Sequence, residues 1–238
     1  MQKTPEKLSL SVILPIYNEE ANVELTLKTI LAYLEKLTDD FEIIAVNDGS
    51  TDQSPKILAE LARKHPRISL INSPKNTGYG WALRKGIISA AKDWILLFDA
   101  DGQFDIADLE RLWEAKAGID FILGWRRRRN DNPYRRLLGS SGNFLANLIL
   151  RIQPFIKDIN CGFKLFKAGL IKPLALMSAG ATINFEILYN LKNYRPVFIQ
   201  LPVSHYPRKA GRATGGDLKN VAILIKESFK IIFKNAPT

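Results

Sequence analysis

The feature that most limits what this chain can fold into is an alternation in its first hundred residues. Short apolar runs of strand length, SLSVILPIYN, FEIIAVNDGS, ISLINSP and DWILLFDADG, alternate with longer amphipathic segments, ANVELTLKTILAYLEKL, SPKILAELARKH and GYGWALRKGIISAA. The order is βαβαβαβ. Near-continuous Val/Ile/Leu strands separated by helices imply a Rossmann-like α/β domain: a mostly parallel sheet buried on both faces by helices. Ser54 and Pro55 are placed to open the second helix. In such sheets ligands bind beyond the carboxyl ends of the strands, which makes PIYNEE, VNDGSTD and DADGQF the informative loops.

The second half is less regular. DFILGWRRRR carries a strand into an arginine cluster, SSGNFLANLILRI reads as a helix, and DINCGFKLFKA as a short strand or turn pair. A helix near Asn184 to Leu191 and a strand, VFIQLPVSHYP, follow, and the chain reads as helical from Asp217 onward. No repeat or linker interrupts it, so residues 1–238 are expected to form a single domain. On the terminal helix Leu218, Val221, Ala222, Ile225, Phe229, Ile232 and Phe233 share one side, and Lys219, Lys226, Lys230 and Lys234 form an adjacent stripe. Such a helix either packs on the core or rests on an anionic membrane surface.

Composition narrows the partners. Of 238 residues 46% are hydrophobic, enough for a full core, and Cys161 is the only cysteine, which excludes an intrachain disulfide and a zinc site built on several thiolates. Cys161 reads as a small buried residue in a reducing, cytoplasmic setting. The amino-terminal apolar run is too short for a signal peptide, and no segment reaches the roughly 18 apolar residues of a spanning helix, so a soluble or peripheral protein is expected. A net charge of +10 implies an anionic partner: nucleic acid, an anionic membrane surface or a phosphorylated small molecule. Six arginines fall within GWRRRRNDNPYRR, from Arg126 to Arg136.

Against that charge, Asp99 and Asp101 stand one residue apart at a strand end. With the amide oxygen of Gln103 they suit a hard divalent cation, Mg2+ or Mn2+, with positions left for substrate phosphates. A calcium loop is excluded. Asp99, Asp101, Asp105 and Glu110 match its acidic positions, but Phe104 stands where it requires glycine. In VNDGSTD, Asp48-Gly49 is a good tight turn and Ser50, Thr51 or Asp52 a good helix cap; alternatively, Asp48 accepts hydrogen bonds from a nucleotide base. Pro15, Tyr17 and Glu19 in LPIYNEE could flank that base and its ribose.

PIYNEE, VNDGSTD, NTGYGWALRKG and FDADGQF, in this order and at these strand ends, closely resemble the inverting family 2 glycosyltransferases, whose fold is called GT-A. The likeness covers roughly the whole chain. GWR, DINCGFKLF and RKAG resemble the branch that includes dolichyl-phosphate and polyprenyl-phosphate mannosyl- and glucosyltransferases. The resemblance implies a nucleotide-sugar and metal half over residues 8–125, an acceptor half over 126–216, and an amphipathic helix over 217–234. It implies that Pro15, Tyr17, Glu19 and Asp48 cradle the nucleoside of a GDP- or UDP-linked sugar, and that Asp99, Asp101 and Gln103 hold the metal. Arg208, in HYPRKAGRATG, matches the arginine that grips the donor diphosphate. Where the family has serine five residues later, this chain has Ala213. Arg126 with Arg135 or Arg136 matches the positions that bind the acceptor's phosphate.

The reaction so implied is metal-dependent transfer of mannose or glucose to a polyprenyl or dolichyl phosphate, with inversion, by a peripheral enzyme on the cytoplasmic membrane face. A sugar hydroxyl acceptor would need a general base, and the Gln-x-x-Arg-Trp sequence typical of polysaccharide-forming relatives does not occur. A phosphate monoester is largely dianionic at neutral pH and needs only cations to hold it. Glu186 in INFEIL is the late acid that could act as a base, touch the donor sugar or serve structure; His65 and His205 read as loop residues. The rival readings are transfer to a glycan hydroxyl and a non-catalytic nucleic-acid binder. The second is disfavoured because the acidic loops repel phosphate without a metal and no nucleic-acid-binding motif is visible.

Overall fold

The computed structural model describes residues 8–127, 133–208, 227 and 231, with the side chains of 133–138 outside the description. The expected alternation is present: β1 (Ser9–Ile16), α1 (Val23–Leu37), β2 (Asp40–Asn47), α2 (Ser54–Lys64), β3 (Ile68–Asn72), α3 (Tyr79–Ser89) and β4 (Trp94–Leu97). Then come α4 (Asp108–Glu114), β5 (Phe121–Arg126), α5 (Pro133–Leu150), β6 (Lys164–Lys167), α6 (Ala168–Ile171), α7 (Ile183–Leu191), a 3-10 turn (Lys192–Tyr194) and β7 (Phe198–Val203). The terminal helix expected over 217–234 lies outside the described residues, apart from helical positions at Glu227 and Ile231.

The described strands form one sheet in the order β3-β2-β1-β4-β6-β5-β7. All are parallel except β6, which is wedged antiparallel between β4 and β5: Phe166 lies opposite Ile95 on one side and Phe121 on the other. Each face of the sheet has its own core. Val12, Leu14, Ile43 and Leu96 meet the inner faces of α1 and α2 through Leu27, Ile30 and Leu58. Ile13, Ile44, Ile95 and Leu97 point the other way, toward Leu83 and Ile87 of α3 and Leu188 of α7. The period-2 alternation of strand side chains produces this division, and each fully buried Leu or Ile contributes about 1.5–3 kcal/mol. On α1 the buried Val23, Thr26, Leu27, Ile30, Leu31 and Leu34 recur at helical spacing.

In the second half KLFK takes the strand option of the two the sequence offered and reverses the sheet locally. His205, read as a loop residue, lies beyond β7 and forms an isolated antiparallel bridge with Phe104, their rings 5.3 Å apart edge to face. Because β1, β2, β4, β5 and β7 run parallel, the segments that follow them leave from one edge of the sheet.

Candidate active site

The first two loops at that edge are tied to each other. The Asn18 N–H donates to Ser50 Oγ (2.9 Å), Thr51 N–H to Asn18 Oδ1 (2.8 Å), Glu19 N–H to Ser54 Oγ (3.0 Å), Glu20 N–H to Asp52 Oδ2 (3.0 Å) and Gln53 N–H to Glu20 Oε2 (2.8 Å). Asp52 also accepts from the Ser54 N–H at the start of α2 (2.9 Å), but the N-cap position is Gln53, so none of Ser50, Thr51 and Asp52 takes the capping place expected of them. Gly49 turns the chain at φ +68°, against the backbone of Lys75, where a Cβ would overlap. Pro15 is the penultimate residue of β1, opposite Val46, and Tyr17 just beyond it is exposed.

Asp48 is buried, and its two oxygens accept the N–H groups of Thr77 (2.8 Å) and Gly78 (2.7 Å) at the entry to α3. The carboxylate therefore fixes the NTG turn, a role the sequence reading did not assign to it. Glu186, also buried, does the same for another loop: Met177 N–H (2.9 Å) and Ser178 N–H (2.8 Å) donate to it. That loop meets α3 through the Gly80 N–H, which donates to the Ala179 carbonyl (2.6 Å). Of the roles weighed for Glu186, the geometry shows the structural one.

Asp99 and Asp101 follow β4 directly. The Tyr79 hydroxyl donates to Asp99 Oδ1 (3.0 Å), and the other side of this carboxylate abuts Gly162 so closely that any Cβ there would overlap it. Burial raises the pKa of Asp99, with Tyr79, Lys164 and Arg126 acting in the opposite sense. Burial and the neighbouring Asp99 push Asp101 up to about 6. Asp101 Oδ1 accepts the Gln103 N–H (3.1 Å), and the Gln103 side-chain amide donates to the Tyr206 carbonyl (3.0 Å), which ties the acidic turn to the segment after β7.

From that segment Arg208 reaches back across the edge. Its guanidinium pairs with Glu19 and stands 3.8 Å from Asp101 Oδ2. One side chain thus joins the PIYNEE loop, the acidic turn and the segment after β7. Among the described residues no group of three or more His, Cys, Asp or Glu side chains is arranged for a metal. The donor set is two carboxylates and an amide. It fits a hard cation that takes its remaining ligands from phosphate and water, because the Asp101 carboxylate is destabilised by a second carboxylate and a nearby positive charge would offset that.

Sequence reasoning missed the buried support behind Asp99. Lys164 is 1% exposed; its ammonium donates to Asn184 Oδ1 (2.7 Å) and to the Cys161 carbonyl. Burial lowers its pKa, and the Cys161, Asp99 and Asp158 groups work against the shift. Lys164, Gly162 and Tyr79 sit inside DINCGFKLF and NTGYGWALRKG, but a lysine in a four-residue strand carries no periodic signal of burial. Cys161 is buried as expected, its thiol pushed up to about 12 chiefly by that burial.

Arg126, at the end of β5, makes a bidentate pair with Asp158, from Nε to Oδ2 (2.7 Å) and from Nη2 to Oδ1 (2.9 Å). The sequence reading had given Arg126 to an acceptor phosphate and had not foreseen this carboxylate. The pair lines a cleft of about 340 Å³ with Trp125, Asn143, Phe144, Phe155 and Lys157, whose ammonium lies 4.5 Å from the Trp125 ring centre. Arg135 and Arg136 are carried by α5, but their side chains lie outside the described residues.

The arrangement is that of the GT-A fold. Mannosyl-3-phosphoglycerate synthase from Rubrobacter xylanophilus superposes with a TM-score of 0.72 over 95% of this chain and 73% of its own, at 16% identity. Glucosyl-3-phosphoglycerate synthase from Mycobacterium tuberculosis, crystallised with Mn2+, uridine diphosphate and phosphoglyceric acid, gives 0.69 over 97% and 80%, at 18% identity. Residues 11–175 match the model of glycosyl transferase family 2, and the chain belongs to that family. Similar curated proteins include a dolichyl-phosphate beta-glucosyltransferase of Trichomonas vaginalis, 34% identical over 68% of this chain and 53% of that protein. An undecaprenyl-phosphate 4-deoxy-4-formamido-L-arabinose transferase of Edwardsiella ictaluri is 28% identical over 90% and 65%. The chain thus spans between about half and two thirds of the length of these relatives.

Proposed function

We propose that this chain transfers a hexose from a GDP- or UDP-linked donor to a polyprenyl or dolichyl phosphate, with inversion and with Mg2+ or Mn2+, on the cytoplasmic face of a membrane. The observation that carries the reading is the reach of Arg208 to both Glu19 and Asp101. It makes one anion-binding site from the nucleoside loops, the acidic turn and the segment after β7. The relatives named for dolichyl and undecaprenyl phosphate support the acceptor class, and the name of the dolichyl-phosphate beta-glucosyltransferase favours glucose over mannose. The Mycobacterium neighbour with Mn2+ and uridine diphosphate supports the donor side.

In this proposal Pro15, Tyr17, Glu19 and Asp48 frame the nucleoside. Their loops are held by the cross-bonds described above, so little ordering accompanies binding. A cation held by Asp99, Asp101 and Gln103 would offset the charge of the donor diphosphate. Arg208 adds a guanidinium on the same leaving group, exchanging its contact with Glu19 for phosphate oxygens. An oxygen of the acceptor phosphate forms the bond to the anomeric carbon as the bond from that carbon to the diphosphate breaks. No proton is transferred, so no base is required. Arg126, Arg135 and Arg136 would hold the acceptor phosphate, with Asp158 keeping the Arg126 guanidinium oriented.

The test is stereochemical. With an α-linked nucleotide sugar, Mn2+ and a polyprenyl phosphate, the proton coupling at the anomeric carbon of the product should report a β linkage. Transfer with an α linkage, or undiminished transfer in excess chelator, would overturn the mechanism.

A further inference from the structure

We infer that Tyr79 is a positioning residue of the cation site, aiming the Asp99 carboxylate, and that Asp48 acts on that site through Tyr79. The inference rests on the proposed assignment of the cation to Asp99, Asp101 and Gln103, and names what holds the first of them in place. The terminal torsion of an aspartate is soft, so its carboxylate turns freely unless something fixes it. Two contacts fix Asp99. The Tyr79 hydroxyl donates to Oδ1 (3.0 Å), and Gly162 stands so close on the Oδ2 side that a Cβ there would overlap it. A ligand held in one orientation before the ion arrives has less ordering left to undergo on binding.

Tyr79 can aim a carboxylate only if its own place is set, and the chain on either side of it is held from outside α3. Before it, the Thr77 and Gly78 N–H groups donate to the two oxygens of Asp48 (2.8 and 2.7 Å). After it, the Gly80 and Trp81 N–H groups donate to the Ala179 carbonyl (2.6 and 3.3 Å), in the loop that Glu186 grips through Met177 and Ser178. Gly78 has φ +112°, and a Cβ on Gly78 or Gly80 would overlap the backbone of residues 178–180, so the turn has no room to shift.

The Tyr79 ring packs against the core on this face of the sheet. A phenylalanine would fill the same space. What the hydroxyl adds is its bond to Asp99 and one with the Asn184 side chain, whose Oδ1 also takes the Lys164 ammonium. Asp48 follows β2 and Asp99 follows β4, with β1 between them, a separation of two strand spacings or about 10 Å. Asp48 therefore reaches the cation site through the turn and Tyr79, not as a ligand.

The test uses the full chain and Mn2+ alone, with no nucleotide or acceptor, the free ion being followed by electron paramagnetic resonance. Tyr79→Phe should raise the Mn2+ Kd by about tenfold, with the circular dichroism of wild type. Asp48→Asn keeps the side-chain shape but replaces one accepting oxygen with a donor, which releases one end of the turn. It should raise the Kd by about fivefold although no base is present. Because both changes act through one hydroxyl, the double variant should bind Mn2+ as Tyr79→Phe does.

A folded Tyr79→Phe protein with the Mn2+ affinity of wild type would overturn the inference and leave the cation assignment intact. So would a folded Asp48→Asn protein with wild-type affinity, or a double variant in which the two losses multiply. A wild-type chain that binds Mn2+ no better than Asp101→Asn overturns the cation assignment and the inference together. If no prenyl phosphate accepts sugar but the Mn2+ affinities fall in the stated order, the functional reading fails and the role of Tyr79 stands.

Discussion

At the residue scale, Asp101 is where the fold accepts an electrostatic cost. Its carboxyl titrates near 6, raised chiefly by burial and then by Asp99. An acid whose folded pKa lies above its unfolded value binds its proton more tightly in the native state, so its contribution to stability is intact at low pH and is lost as pH rises through about 6. Metal-free Asp101→Asn is therefore expected to be more stable than wild type at pH 7.5, by on the order of 1–3 kcal/mol, with a higher Tm by calorimetry. It should lose transfer and Mn2+-dependent donor binding. A lower Tm would contradict the electrostatics. Lys164 carries the opposite expectation. Lys164→Met keeps the volume but leaves the Cys161 carbonyl and Asn184 Oδ1 without their donor, which should cost about 1–3 kcal/mol in denaturant unfolding. Donor-dependent transfer should fall as well, since Asp99 loses the cation that opposes its burial.

At the scale of elements, the site depends on how β6 and the segment after β7 are delivered to β4. Gly162→Ala places a methyl group where the Asp99 carboxylate sits. Transfer should fall by at least about tenfold, because small displacements of reacting groups cost that much or more, while circular dichroism retains the α/β signature. Arg208→Ala removes the bridge between Glu19 and Asp101; kcat/KM for the donor should fall by about 100-fold, with Arg208→Lys recovering only part of it. The first half of the fold was legible because its strands are wholly or largely apolar runs alternating with amphipathic helices, and the positions of Asp48, Asp99 and Asp101 followed from strand ends. Lys164 in a four-residue strand, and Asp158 in a loop, become meaningful only once antiparallel pairing and long-range contacts are formed. Asp48 shows the limit from the other side: its place was legible, but its hydrogen bonds to Thr77 and Gly78 depend on a turn about thirty residues away.

At the scale of the whole molecule, one sheet edge gathers acids and Arg208 on one side and the Arg126 cleft on the other. The net positive charge of this chain is thereby divided by task. Arg208 stands at the end proposed for the donor, and Arg126 with the exposed Arg127, Arg151 and Lys157 marks the end proposed for the acceptor. The central claim, that the nucleophile is a lipid phosphate, is most directly tested by competition. The wild-type chain, Mn2+ and a labelled nucleotide sugar are offered equal amounts of a polyprenyl phosphate, the corresponding polyprenol and a free sugar, and the products are identified by mass. The account predicts label in the polyprenyl phosphate alone. Label in the free sugar, or equal label in the alcohol that lacks the phosphate, would contradict it.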